Sequence, residues 1–312
     1  MIRPQHAIHS SYALCRAIAR RSGSNFYPCF WLLPRPKRRA MEALYAFTRY
    51  TDDLIDNPDP VDARRAALAR WRIALEAALS DTSDLAAADG ALHGRSQTPD
   101  QLPGEALLPA LSNAASQFHI PSEHLLAVVD GVEMDLDGAR YETFDELAVY
   151  CQRVASAVGL ACIHVWGFRG EAAFEPARKC GIAFQITNIL RDLKEDARQG
   201  RVYLPREDFR RAGYSVEDLS AGVTHGGFDR LMEFQVDRAR LLYREGAELF
   251  DWLEPDGRRI FGMMTAVYHR LLVRIERRPS EVFRRRVRLT GWEKLAIATR
   301  WALLPARRSA LP

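Results

Sequence analysis

Asp52, Asp53 and Asp56 stand in the run YAFTRYTDDLID, and Asn188, Asp192, Glu195 and Asp196 stand in QITNILRDLKED. Residues three or four apart share one face of a helix. Asp52 and Asp56 therefore project together, and so do Asn188, Asp192 and Asp196. Like charges at that spacing repel by roughly 0.2–0.5 kcal/mol per pair on an exposed helix. Apolar residues flank both sets, and a carboxylate that is partly buried without a partner costs far more. A cation between the two faces resolves the repulsion. Mg²⁺ is the expected one: it is hard, takes carboxylate oxygens and commonly bridges one or two carboxylates to substrate phosphates. Mn²⁺ shares that preference.

Each acidic face carries its own arginine. Tyr45, Arg49, Asp52 and Asp56 form one stripe, bordered by Leu44, Phe47, Leu54 and Ile55. Gln185, Asn188, Asp192 and Asp196 form the other, with Arg191 beside it. Solvated helix faces are the alternative, with Arg49 pairing Asp52 or Asp53, and Lys194 and Arg198 serving the second stripe. The apolar first half of the second helix (Gly181, Ala183, Phe184, Ile186, Ile189, Leu190) argues against it, because an Asn and a Gln there need buried partners. Two carboxylate faces, each with a guanidinium, together suit a diphosphate held by metal and arginine. The following GRVYLP adds Arg201 for a diphosphate oxygen, and Tyr203 for a hydrogen bond or a ring face toward a cation. A core tyrosine on a loop is the plainer account of Tyr203.

These residues need helices to position them, and the pattern is helical nearly throughout. The expected spans are 9–21, 36–56, 61–79, 104–117, 121–136, 143–168, 171–196, 205–212, 226–252, 256–277 and 290–303. Pro34 and Pro36 mark the start of the second, and Ser122 and Thr143 are candidate caps. The stretch from Ser80 to Gly104 is rich in Ser, Asp, Gly and Pro, and reads as a mobile insertion (80–104) inside one domain covering 1–312. No internal repeat is evident.

The 312 residues are 47% hydrophobic and 27% charged, with a net charge of +4, ordinary values for a globular protein. Nothing points to nucleic acid: the charge is mild and zinc-finger spacing is absent. Five scattered cysteines without a CxxC pair suggest a reducing, cytoplasmic compartment. The eight histidines make no metal-ligand spacing. The N-terminal run has no uninterrupted apolar core of a signal peptide. No stretch reaches 18 apolar residues, so membrane contact is expected only from the surface.

Two further segments stand out. The middle one carries Glu133, Asp135 and Asp137, then Tyr150, then the small residues Val154, Ala155, Ala157, Val158 and Gly159. Small side chains let helices approach closely, or leave room for a long apolar ligand. From Arg277 to Arg308 the chain has nine Arg and one Lys against two Glu. There Trp292, Leu295, Ala296, Thr299 and Leu303 fall on one helical face, as in a helix that lies on an anionic membrane, although a solvated basic face is the default.

With these residues in view, the chain resembles the squalene and phytoene synthases, the head-to-head prenyl transferases. The match runs from about Ser22 to Arg300. The first family motif resembles Asp52-Asp53-Leu54-Ile55-Asp56 after LYAFTR. The second resembles Asn188 to Asp196 followed by GRVYLP. A central signature resembles Tyr150-Cys151 with VASAVG, and a late one resembles Val267-Tyr268-His269 with Arg286-Val287-Arg288-Leu289.

The resemblance implies an all-α isoprenoid synthase bundle around a central cavity. It implies that Asp52, Asp53, Asp56, Asn188, Asp192 and Asp196 hold Mg²⁺, and that Arg49, Arg191 and Arg201 bind diphosphate, with Gln185 beside the substrate. It also implies that Tyr150, Tyr203 and Tyr268 flank the reacting carbons, while Phe26 and Phe30 line the cavity. Within the family, FYPCFWLLP, RYETFDELAVYCQRVAS and RVRLTGWEKL look most like bacterial presqualene diphosphate synthases. Phytoene synthases using geranylgeranyl diphosphate come next, as do full squalene or dehydrosqualene synthases. NADPH enters only with a reductive step. Two departures bear on product identity: Gln152 where many relatives have a second Tyr, and Ser22-Gly23-Ser24 before Phe26. Non-catalytic assembly factors share the fold but show decayed aspartate motifs, and both motifs are intact here. A terpene cyclase on the same fold is disfavoured by the RVYLP extension.

Overall fold

The computed structural model describes residues 4–24, 26–85 and 103–311. Among these described residues fifteen α-helices follow in order: α1 Pro4–Arg21, α2 Arg35–Asp53, α3 Val61–Leu85, α4 Leu108–Phe118, α5 Ser122–Leu136, α6 Phe144–Cys151, α7 Ala157–Trp166, α8 Phe174–Arg198, α9 Arg206–Ala212, α10 Val216–Ala221, α11 Gly226–Gly246, α12 Leu249–Trp252, α13 Pro255–Arg277, α14 Glu281–Arg284 and α15 Gly291–Leu303. Among the described residues the only β pairing is an isolated antiparallel bridge between Phe168 and Leu253. The all-α expectation is met.

Several boundaries differ from the periodicity, each for a local reason. The second helix stops at Asp53 rather than 56. Leu54 to Asn57 turn away, and the Asp56 N–H bonds the Asp52 carbonyl at 3.2 Å. The span 143–168 is one continuous rod, but five of its residues, Gln152–Ser156, form a π turn between α6 and α7. The span 226–252 breaks after Gly246. A 3-10 turn at Tyr27–Leu32 and the short α10 and α14 lie outside the predicted spans. Thr143 caps α6 by accepting from the Glu146 N–H, whereas Ser122 is already helical and Pro121 holds the cap position of α5. Of the predicted insertion, α3 continues through Leu85 and a 3-10 turn begins at Pro103; residues 86–102 lie outside the described residues.

Two hydrophobic cores form the body. One is built by α1 to α5, α7, and parts of α12 and α13, around Phe47, Trp71, Leu111 and Ile163. The other gathers α6, α8, α9, α11 and α13 around Leu190, Phe228, Leu231 and Leu271. Phe26 and Phe184 pack against both. The rod from Phe144 to Trp166 is long and apolar enough, at mean hydropathy 1.3, to cross a membrane. It packs against α2, α5 and α8, which accounts for that composition. All five cysteines are free and buried.

Candidate active site

A cavity of about 530 Å³ opens between α2, the π turn with α7, α8 and α13. Along α8 its wall is Ala177, Cys180, Gly181, Phe184, Gln185, Asn188 and Arg191, one residue or pair per turn. Those 14 steps at 1.5 Å each give a lining about 20 Å long. The N-terminal end is apolar, with Cys162, Ile163, Trp166, Leu249, Phe261 and Met264. The other end is charged, with Arg49, Asp52, Asn188, Arg191, Arg286 and Arg288.

The small residues of the central rod are what leave this space open. Val154, Ala155, Val158 and Gly159 face the cavity. A Cβ on Gly159 would meet only the Ala177 carbonyl, at 3.7 Å. Gly181 does the opposite job: a Cβ there would lie 2.5 Å from Ser156 Cα, so glycine is what lets α8 close on the π turn. A π turn beside a cavity is a common mark of a functional site.

Asp192 is held by two arginines. Arg191 donates from Nε to Oδ1 at 2.9 Å and from Nη2 to Oδ2. Arg286 donates from Nε to Oδ1 at 2.8 Å and from Nη2 to Oδ2 at 2.9 Å. Burial lifts the Asp192 carboxyl, but the guanidinium groups outweigh it and hold its pKa below the ordinary value. Asp53 pairs with Arg49 across one turn. Arg201 donates to Asp56 at 3.0 Å and so ties the two acidic segments together.

The remaining carboxylates are poorly compensated. Asp52 is an exposed residue at the cleft, yet the crowding of protein around its carboxyl, then Asp56, push it up to about 7. Burial, then Asp192, push Asp196 to about 7 as well. Asn188 Oδ1 is buried and has no hydrogen-bond partner, while its Nδ2 donates to Gln185 at 3.3 Å. A buried amide oxygen without a donor has its lone pairs free. Among the described residues no three His, Cys, Asp or Glu side chains are set as a ready-made ion chelate. Arginines occupy Asp53, Asp56 and Asp192 instead.

The structure divides the predicted residues: Asp53, Asp56, Asp192, Asp196 and Arg201 lie outside the cavity lining, with Arg201 on Asp56 and Arg191 and Arg286 on Asp192. Phe26, Phe30, Arg49, Asp52, Gln185, Asn188, Arg191 and Tyr268 line the cavity. The Tyr268 ring stacks on Phe26 at 5.1 Å and lies 4.6 Å from Phe184. Tyr150 and Tyr203, expected to flank the reacting carbons, are not in its lining. They stack on each other at 5.1 Å, and both donate to Asp135, at 2.9 and 2.8 Å. Asp135 also feels Asp56 and Arg201, and burial raises its carboxyl. Asp135 and Arg286 are thus two site residues that the sequence named only as members of longer runs, without a role of their own.

A family model described as squalene/phytoene synthase matches residues 19–293. The chain is 34% identical to the phytoene synthase of Arthrospira platensis, over 91% of this chain and 90% of that protein. It is 33% identical to the 15-cis-phytoene synthase of Synechococcus elongatus, over 94% of each. Among solved structures it is similar to a dehydrosqualene synthase in complex with ligand, with TM-score 0.81 and 27% identity, over 96% of this chain and 97% of the other. It is also similar to squalene synthase HpnC from Alicyclobacillus acidocaldarius, with TM-score 0.74 and 25% identity, over 88% and 95%.

Proposed function

The chain belongs to the squalene/phytoene synthase family of prenyl transferases, and we propose that it joins two farnesyl diphosphates head to head into presqualene diphosphate. One observation carries the reading: a long apolar cavity whose mouth brings Arg49, Arg191 and Arg286 together with Asp52 and Asn188. The apolar end suits a hydrocarbon chain, and the charged end suits a diphosphate.

The donors at the mouth fit a hard divalent cation. Asp52 and Asp196 are carboxyls whose ionisation is opposed by burial and by neighbouring aspartates, and Asn188 Oδ1 is an oxygen with no partner. Asp52, Asp56, Asn188, Asp192 and Asp196 would hold Mg²⁺, or Mn²⁺ in its place, and the bound ion would neutralise the leaving diphosphate as a Lewis acid. Asp53 stands apart, exposed and paired with Arg49.

The chain's own groups account for the remainder. Arg49, Arg191, Arg201 and Arg286 are the donors for diphosphate oxygens, and each guanidinium can engage two at once. As the allylic C–O bond breaks, positive charge develops on the prenyl carbon. The faces of Tyr268, Phe26 and Phe184 attract it without adding a nucleophile. The apolar wall excludes water that would quench it. The alkene of the second substrate then attacks, and loss of a proton closes the cyclopropane ring.

A second chain length has its own support: the curated relatives named above are phytoene synthases, which favours geranylgeranyl diphosphate. The test is incubation with farnesyl or geranylgeranyl diphosphate and Mg²⁺, with and without NADPH, followed by mass spectrometry. A C30 cyclopropyl diphosphate without NADPH supports the first reading, and its reduction on adding NADPH extends it to a full squalene synthase. A C40 hydrocarbon moves the protein to phytoene synthesis. Folded protein that turns over neither substrate overturns both.

A further inference from the structure

The helix α15 is bolted to the body on one face and bare on the other. Trp301 is 1% exposed and lies against Gly262, where a Cβ would sit 2.2 Å from its ring. Arg259 donates to the Trp301 and Ala302 carbonyls at 2.9 and 2.8 Å. Arg274 holds Glu293 at 2.9 and 3.0 Å, and Thr290 with Glu293 closes a capping box. The free face carries Trp292 at 80% exposure, Leu295 at 54% and Leu303 at 75%, with Leu304 at 50% just beyond the helix. Ala296, Thr299 and Ala302 complete that stripe. Large apolar side chains gathered on one exposed face mark a binding surface, unlike scattered ones.

Two observations identify the occupant. The first is charge. From Arg284 to Arg308 the chain has seven Arg and one Lys against a single Glu. That Glu, Glu293, is already engaged by Arg274 and the helix cap. The second is position. Arg286 and Arg288 line the cavity mouth, and Thr290 two residues later caps α15. The turn Tyr27–Leu32, which packs against α15, also carries Phe30 of the cavity wall and a Trp31 that is 54% exposed.

We propose that α15, with the neighbouring turn of Trp31, is a docking face for an anionic lipid bilayer, seated so that the cavity mouth lies beside the membrane surface. Apolar side chains enter the headgroup region while the surrounding arginines meet lipid phosphates. A neutral apolar partner would gain nothing from that excess of arginine.

Flotation of the full chain with vesicles tests this, comparing phosphatidylcholine containing phosphatidylglycerol with phosphatidylcholine alone. The wild type is expected to float with the anionic vesicles, less so at high salt, with a blue shift in tryptophan emission. The combined Trp292→Asp, Leu295→Asp and Leu303→Asp variant should lose about tenfold or more in vesicle affinity, and Arg284→Glu with Arg307→Glu a smaller share. Ile73→Asp, exposed on α3, should change nothing. Circular dichroism melts establish that the variants fold. Failure of the wild type to float overturns the proposal, as does undiminished binding by the triple variant. A wild-type dimer that the triple variant dissolves assigns the face to a second copy instead, and also overturns it.

Discussion

Arg286 reaches across the cavity mouth to Asp192 with two parallel hydrogen bonds, 94 residues apart in sequence. Asp192 also holds Arg191, so one carboxylate parks two guanidinium groups. Both guanidinium groups are thereby held at the cavity mouth.

Replacing Arg286 with Met removes a bidentate donor. A hydrogen bond to a charged group contributes about 1.5–3 kcal/mol, so the KM for the prenyl diphosphate should rise roughly tenfold to a hundredfold. Arg286→Lys should not restore it, because an ammonium cannot reproduce the planar fork. Steady-state kinetics on both variants decides this, and an unchanged KM would remove Arg286 from the site.

Asp135 accepts from Tyr150 and Tyr203, one on each oxygen. Asp135→Asn keeps one acceptor oxygen and orphans one buried hydroxyl, costing about 1–3 kcal/mol of stability. Adding Tyr203→Phe should recover part of that loss. Chemical denaturation of the four proteins in this cycle measures the coupling, and simple additivity would refute the shared bond.

Metal dependence should vary with pH. Asp52 and Asp196 have folded values near 7, against about 4 in the unfolded chain. Groups with raised values stabilise the metal-free fold fully below the unfolded value, and that contribution is lost as pH rises through 7. Mg²⁺ relieves the repulsion that appears there. Its stabilising effect in calorimetry should therefore be larger at about pH 8 than at about pH 6. Asp52→Asn should flatten the difference, and an Mg²⁺ effect independent of pH would argue against these carboxylates as ligands.

Gly159 faces open cavity, so a longer side chain there fills space that a prenyl chain would use. In Gly159→Leu, kcat/KM for geranylgeranyl diphosphate should fall more than for farnesyl diphosphate. The fold should tolerate it, since glycine inside a helix is itself unfavourable by up to about 1 kcal/mol. Equal losses on both substrates would place Gly159 away from the chain terminus.

At Gly181 the opposite is expected. A methyl group there meets the Ser156 backbone at 2.5 Å, which cannot swing aside as a side-chain tip would. Gly181→Ala should lose about 1–3 kcal/mol in denaturant unfolding. Wild-type stability would mean that α8 can shift away from the π turn at little cost.

The helices and both acidic motifs were legible because period and charge spacing are local properties. Asp135 and Arg286 were hidden inside charge runs. Glu133 and Asp137 bond Arg72 and Arg65 at the surface, and only the middle member of the trio turns inward to the tyrosines. Likewise Arg284 and Arg285 are exposed while Arg286 reaches Asp192. One signal was available: Val287 and Leu289 are buried at alternating positions, which puts Arg286 and Arg288 together on the other side of an extended segment. The helix end at Asp53 left no such mark, since LID continues an apolar pattern that the chain uses to turn. The positions of Tyr150 and Tyr203 depend on Asp135 and so could not be read without it.

The apolar part of the cavity is walled mainly by side chains of the first hydrophobic core, and Phe26 and Phe184 join that wall to the second. In packing terms the sequence omits a set of side chains, and an isoprenoid tail supplies them. Ligand and protein interior are then one hydrocarbon phase assembled from two molecules. A tail of matching length acts as an interchangeable part of the interior, so the melting temperature across a series of non-reactive prenyl analogues measures the depth of the missing volume directly.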